Sequence, residues 1–174
     1  MTRKQMSTTV ATGTLLNEHV GYVTIANFDE RCAEETIAAV QSVLDQGADM
    51  LLFDVRNNPG GYAEELCKVL DYLLPEGTLM RMVGTDGSEE TETSDASCVK
   101  VPMAVLMNEN SYSAAELFAA DLWEYGAAKT FGTKTSGKGF YQNVFQFSDG
   151  SAVGLSIGRY YTSKGESLEG IGLT

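Results

Sequence analysis

Apolar positions recur along the chain with two alternating periods, and these divide it into strands and helices. Val20 to Phe28 (VGYVTIANF) reads as a strand. From Glu30 to Gln46 the residues Ile37, Val40, Val43 and Leu44 share one helical face, and Gly47 supplies a stop. Met50 to Val55 is a short apolar run that enters a turn-rich segment, the pattern of a buried strand. Leu66, Val69, Leu70, Leu73 and Leu74 follow a helical period closed by Pro75 and Gly77. Leu79 to Val83 reads as a strand, and the acidic, polar stretch Gly84 to Ser97 as an exposed loop. Val101 to Met107 is an apolar strand, and Ala114 to Tyr125 a helix with Leu117, Phe118 and Leu122 inward. Beyond it the chain reads as strands over Lys129 to Gly132, Asn143 to Phe147 and Ala152 to Tyr161. Ser148 to Ser151 is a hairpin turn between the last two. Repeated strand–helix units predict an α/β domain: a mostly parallel sheet flanked by helices, with a β-rich C-terminal part. No repeat or linker interrupts the pattern, so residues 1–174 read as one domain with a sizeable core.

Composition narrows the function classes. A net charge of −12 argues against nucleic acid as a partner, because phosphate binding needs clustered Lys and Arg. The acidity suits solubility, and a preference for neutral or basic peptides. Cys32, Cys67 and Cys98 are widely spaced, with no CxxC pair; they read as small buried hydrophobes, not as a metal site or a disulfide framework. No metal and no cofactor is expected. No apolar run approaches the roughly 18 residues of a membrane span. Met1 to Lys4 is basic, but Ser7, Thr8 and Thr9 stand where an export signal needs apolar residues. His19 reads as a surface residue; Trp123 and the helical aromatics read as core.

Candidate chemistry lies in three segments. Ser113 stands between an apolar strand and a helix, and Ser113-Ala114-Ala115-Glu116 has the form of a capping box. Ser113 can therefore be a helix cap alone. It can also be a nucleophile, because a helix N-terminus favours the negative charge of a tetrahedral intermediate. Ser111 is a rival two residues earlier. With His19 far away in sequence, the best placed candidate base is Lys138, 25 residues after Ser113. Such a lysine needs apolar surroundings to lose its proton near neutral pH; Phe140 and Tyr141 are candidates to supply them. Gln142 lies one helical turn on, within reach of the lysine head. A solvated surface lysine is the alternative. The third segment, Asn57-Asn58-Pro59-Gly60-Gly61, is either a tight turn or a source of glycine N–H groups that join Ala114 N–H in an oxyanion hole. Gly132 to Gly139 imitates a phosphate loop. However, Gly139 replaces the magnesium-binding hydroxyl residue, and a strand follows instead of a helix.

Taken together, the segments Asp54 to Gly61, Asn108 to Glu116 and Gly132 to Gln142 resemble the C-terminal processing, or tail-specific, serine peptidases. The tail Ser148 to Ser151, Arg159 to Thr162 and Gly165 to Gly170 is also similar, so the resemblance runs from about Val20 to the C-terminus. It implies a Clp protease/crotonase-like fold and a serine endopeptidase that cuts proteins or peptides near an apolar C-terminus. Ser113 would be the nucleophile in place of Ser111, Lys138 the general base and Gln142 its positioner. The N–H groups of Ala114 and of Gly60 or Gly61 would hold the oxyanion. Tyr112, Ala115 and Ser136 depart from the usual Ala, Ser and Phe, and Thr162-Ser163-Lys164 from a Thr-Pro-Ser turn. The resemblance also implies a parent protein with a preceding PDZ domain and a place in the cell envelope. The chain then reads as an excised catalytic core, with weak cleavage when nothing delivers substrate. A non-catalytic binding module on the same fold, and an esterase using the same dyad, are the alternatives.

Overall fold

The computed structural model describes residues 8–174; the basic start at Met1 to Lys4 and the polar Ser7 lie outside the described residues. The elements are β1 (Ala11–Leu15), β2 (Val20–Ile25), α1 (Cys32–Asp45), β3 (Met50–Asp54), α2 (Ala63–Leu73), β4 (Gly77–Gly84), β5 (Glu89–Ser94), β6 (Met103–Met107), α3 (Ala114–Glu124), β7 (Ala128–Gly132), β8 (Phe140–Gln146) and β9 (Ala152–Tyr161). One sheet has the order β1-β2-β3-β6-β7, with β2, β3, β6 and β7 parallel and β1 antiparallel to β2. The second, β5-β4-β9-β8, is antiparallel throughout. This is the mixed α/β architecture that the strand–helix alternation predicts.

Two strands escape the periodicity argument. Ala11–Leu15 contains one glycine and two threonines, and three of its five positions are exposed, so no apolar alternation marks it. Glu89–Ser94, predicted as loop, is a strand paired with β4. Its acidic side chains face water from a sheet edge, where charge discourages further strand addition. Trp123 corrects the core expectation: it is 53% exposed. His19 is on the surface, with Nδ1 3.0 Å from Asp49 Oδ2. Cys32 and Cys67 are buried, and that burial pushes each thiol up to about 12. Among the described residues no helix is long and apolar enough to cross a membrane.

Packing fixes the helices that carry the site. Phe118 of α3 is fully buried, edge-on to Phe53 of β3 at 5.3 Å and tilted against Phe28 at 6.0 Å. Aromatic pairs of this geometry contribute about 0.5–1.5 kcal/mol beyond their buried area. α3 also packs on β7 and on α2, and α2 reaches the second sheet through β4 and β5. The N-terminus of α3 is thereby held where the two sheets meet.

Candidate active site

Between β6 and α3 the chain turns sharply at Ser113, which has φ 57° and ψ −116°. Such a conformation costs a non-glycine residue about 1–3 kcal/mol and persists only where its surroundings over-determine it. Asn57 is the other non-glycine residue with positive φ among the described residues, at 60°. The two strained residues lie on facing loops. A strained strand-to-helix turn is also the device that presents a nucleophilic serine in hydrolases.

Hydrogen bonds lock these loops together. Asn108 Nδ2 and Asn110 Nδ2 both donate to Asn57 Oδ1 at 3.0 Å, and Asn57 N–H donates to Asn108 Oδ1 at 3.0 Å. Tyr112 N–H donates to Asn58 O at 3.0 Å. Ser111 is fully buried; its hydroxyl donates to Val55 O at 2.8 Å and accepts from Asn108 N–H at 3.0 Å. That hydroxyl is structural. Ser113, half-buried, opens on a cavity instead.

Below the loops, Asp54 takes both Nε and a terminal nitrogen of Arg56, and the Tyr22 hydroxyl at 2.5 Å. Burial works against its ionisation, but the bonds from Arg56 and Tyr22 outweigh burial and hold its carboxyl below the usual range.

Glu116 is the hub that sequence reasoning undervalued. The capping-box bond is present, Ser113 N–H to Glu116 Oε2 at 2.9 Å. The same buried carboxylate also accepts from Thr135 Oγ1 (2.6 Å), Ser136 Oγ (3.0 Å), Gly137 N–H (2.7 Å) and Lys138 N–H (3.0 Å). It ties the nucleophile turn to the lysine loop. Ser136, where the resembling peptidases carry Phe, provides one of those donors. The phosphate-loop reading fails for the same reason: a carboxylate already occupies the Gly137 and Lys138 N–H groups, and β8 follows.

Gly60 abuts the serine. A Cβ placed there would lie 2.8 Å from Tyr112 O and 2.9 Å from Ser113 Cβ, at φ +89°. Its N–H is spent on Asn58 Oδ1 at 2.8 Å. The N–H groups of Gly61 and Ala114 have no hydrogen-bond partner among the described residues.

Ser113, Lys138 and Gln142 share a cavity of about 340 Å³ whose walls are largely apolar: Leu66, Met80, Met82, Leu117, Phe140 and Tyr160. Lys138 Nζ stands over the Tyr112 ring, 5.2 Å from its centroid. It shares no hydrogen bond with Ser113 Oγ, and no carboxylate lies within ion-pair distance of it, among the described residues. Gln142 reaches the cavity from β8, so the expected helical turn between it and Lys138 is a strand with a bulge at Tyr141/Gln142. The extended backbone separates the two, and their side chains share no hydrogen bond among the described residues. Tyr160 donates its hydroxyl to the Lys138 carbonyl. Burial pushes its phenol up, with the Ser113 hydroxyl pulling the other way.

Residues 19–174 match the sequence profile of peptidase family S41, and the chain belongs to that family. It is 31% identical over 157 residues to the carboxyl-terminal-processing protease of Synechocystis sp., covering 90% of this chain and 37% of that one. It is 28% identical to the chloroplastic carboxyl-terminal-processing peptidase 2 of Arabidopsis thaliana, covering 89% and 31% respectively. Among solved structures it superposes on a photosystem II D1 C-terminal processing protease with TM-score 0.85 at 28% identity, covering 99% of this chain and 49% of that one. The tricorn protease shares the fold at TM-score 0.53 and 18% identity, covering 80% of this chain and 13% of that one. The chain thus spans about a third of the length of these curated relatives.

Proposed function

We propose that this chain is the catalytic core of a serine endopeptidase that works through Ser113 and Lys138. The observation that carries the reading is the strained Ser113 turn opening onto the cavity that also receives Lys138. The unprotonated amine of Lys138 takes the Ser113 proton as Oγ attacks a peptide carbonyl. The N–H groups of Gly61 and Ala114 are the free donors for the oxyanion; losing one such donor typically costs about 10²–10³ in rate. Gly60 contributes close approach, because Asn58 holds its N–H. Lys138 then returns the proton to the leaving amine, and activates water against the acyl-enzyme. In the resting arrangement Lys138 rests on Tyr112, and a side-chain rotation carries it to Ser113. Gln142 flanks that path on the cavity wall.

The apolar walls fit an apolar substrate side chain beside the scissile bond, and the net charge of −12 disfavours acidic peptides. The substrate is a protein or peptide cut near an apolar C-terminus. In the parent protein, a PDZ domain captures that tail by strand addition, in the cell envelope. The test is cleavage of an unstructured peptide ending in apolar residues. Ser113→Ala and Lys138→Ala are each expected to abolish turnover while leaving the circular dichroism spectrum unchanged. Substantial turnover by either purified variant refutes the assignment.

A further inference from the structure

The loop that presents Lys138 is held on all sides. The Gly137 and Lys138 N–H groups go to Glu116. Gly139 N–H goes to Glu169 Oε2 at 2.6 Å. The Gly137 carbonyl accepts from Gly170 N–H at 2.8 Å, the Gly139 carbonyl from Tyr160 N–H at 3.1 Å, and the Lys138 carbonyl from the Tyr160 hydroxyl. Every backbone polar group of Gly137–Gly139 therefore has a partner. The C-terminal segment supplies two of these six bonds. It closes further on the loop through Thr135 N–H to Leu173 O at 3.0 Å and Leu173 N–H to Thr135 Oγ1 at 2.8 Å.

We infer that Glu169 is a positioning residue for Lys138, and that the segment from Leu168 to Leu173 is a strap that aims the base. The inference rests on the Ser113–Lys138 reading above. Three features set Glu169 apart from an ordinary surface glutamate. It is half-buried, its bond to Gly139 is short, and the contact is close enough that a Cβ on Gly139 would lie 2.7 Å from Glu169 Cβ. Carboxylate-to-amide bonds of this kind are about twice as strong as neutral ones. Without it, Gly139 loses the anchor on the side opposite Glu116. The lysine stem then swings, while the cavity and Ser113 stay in place.

The test is the rate at which a fluorophosphonate labels Ser113 in the full chain, followed by mass spectrometry, in wild type, Glu169→Ala and Glu169→Gln. Gln keeps an acceptor oxygen in the same place, so Glu169→Gln is expected within about twofold of wild type. Glu169→Ala is expected to be about tenfold slower or more, since ångström-scale misplacement of a reacting group costs up to roughly 10²-fold. Its melting temperature should stay close to that of Glu169→Gln. Amide exchange at Gly139 should rise in the alanine variant alone. Equal labelling rates in wild type and Glu169→Ala overturn the inference. So does equal slowing of both variants in step with their melting temperatures, which would make the role purely structural. A wild-type chain that takes no label at Ser113 would instead sink the dyad reading, and this inference with it.

Discussion

Tyr112 is the residue that most alters how this site rests. Its ring receives the Lys138 ammonium at 5.2 Å, in a position where the resembling peptidases carry alanine. A half-exposed cation–π contact contributes about 0.5–1 kcal/mol. Removing it with Tyr112→Ala should therefore speed Ser113 labelling by about two- to fivefold, because about 1.4 kcal/mol is a factor of ten. A slower Tyr112→Ala variant would show that the ring orients the lysine instead of parking it. Gly60 permits no side chain: Gly60→Ala drives a methyl against Tyr112 O and Ser113 Cβ, at a φ that alanine rarely adopts. The expected result is a loss of about 10²-fold in labelling rate, consistent with the displacement of a reacting atom. Full activity in that variant would place the glycine loop away from the serine. At this scale the sequence was informative where residue type is tied to chemistry. Ser113, Lys138 and the two glycines could be singled out from their spacing and from family resemblance. That Gly60 donates to Asn58, that Ser111 is spent on Val55, and that Tyr112 receives the ammonium are tertiary facts with no local signal.

Among the elements, α3 carries most of the argument through its first turn and its last. Glu116 could be read as a capping-box partner, but the capping rule accounts for one of its bonds and says nothing of the four from the Thr135–Lys138 loop. Glu116→Ala leaves the buried Thr135 hydroxyl and Gly137 N–H unpaired, together with the less buried Ser136 and Lys138 donors, and a single unpaired buried group costs about 1–3 kcal/mol. The variant should lose at least about 3 kcal/mol, or some 6–12 °C in melting temperature for a chain of this size. A shift under about 2 °C would mean that water replaces the carboxylate freely. Near the other end of α3, Asp121 is buried, with one carboxylate oxygen lacking a partner among the described residues. Burial pushes its carboxyl well above the usual range and Glu124 adds to the shift, while bonds from Ser163 oppose it. The unfolded chain then ionises Asp121 before the folded one does. Its effect on stability is absent at low pH and grows increasingly unfavourable as pH rises above about 4. Asp121→Asn should therefore gain stability relative to wild type between pH 4 and pH 8 in urea titrations; a pH-independent difference contradicts this. The periodicity argument found α1, α2 and α3 and the buried strands, because apolar faces must be covered. It missed β1 and β5, whose residues are mostly exposed and whose strand state depends on a neighbour's backbone. Trp123, read as core together with the other helical aromatics, is left open to water by the last turn of α3.

As a whole, the molecule brings a strained serine, an apolar cavity and a backbone-clamped lysine loop to the meeting point of two sheets. Family S41 membership rests on residues 19–174, yet the chain spans only about a third of its curated relatives. On the proposed function, substrate would be delivered by a PDZ domain of the parent protein, and the core alone is then expected to cleave peptides more slowly than that parent. Comparing the two on one peptide checks this, and equal rates would contradict it. The central claim, that Ser113 is a nucleophile activated by Lys138, needs no delivered substrate to test. The most direct measurement is peptide mapping by mass spectrometry after reaction with a fluorophosphonate, in wild type and in Lys138→Ala. The account predicts one adduct, on Ser113, that falls to background when the lysine is removed. An adduct on another residue, or one on Ser113 that forms at the same rate without Lys138, would contradict it.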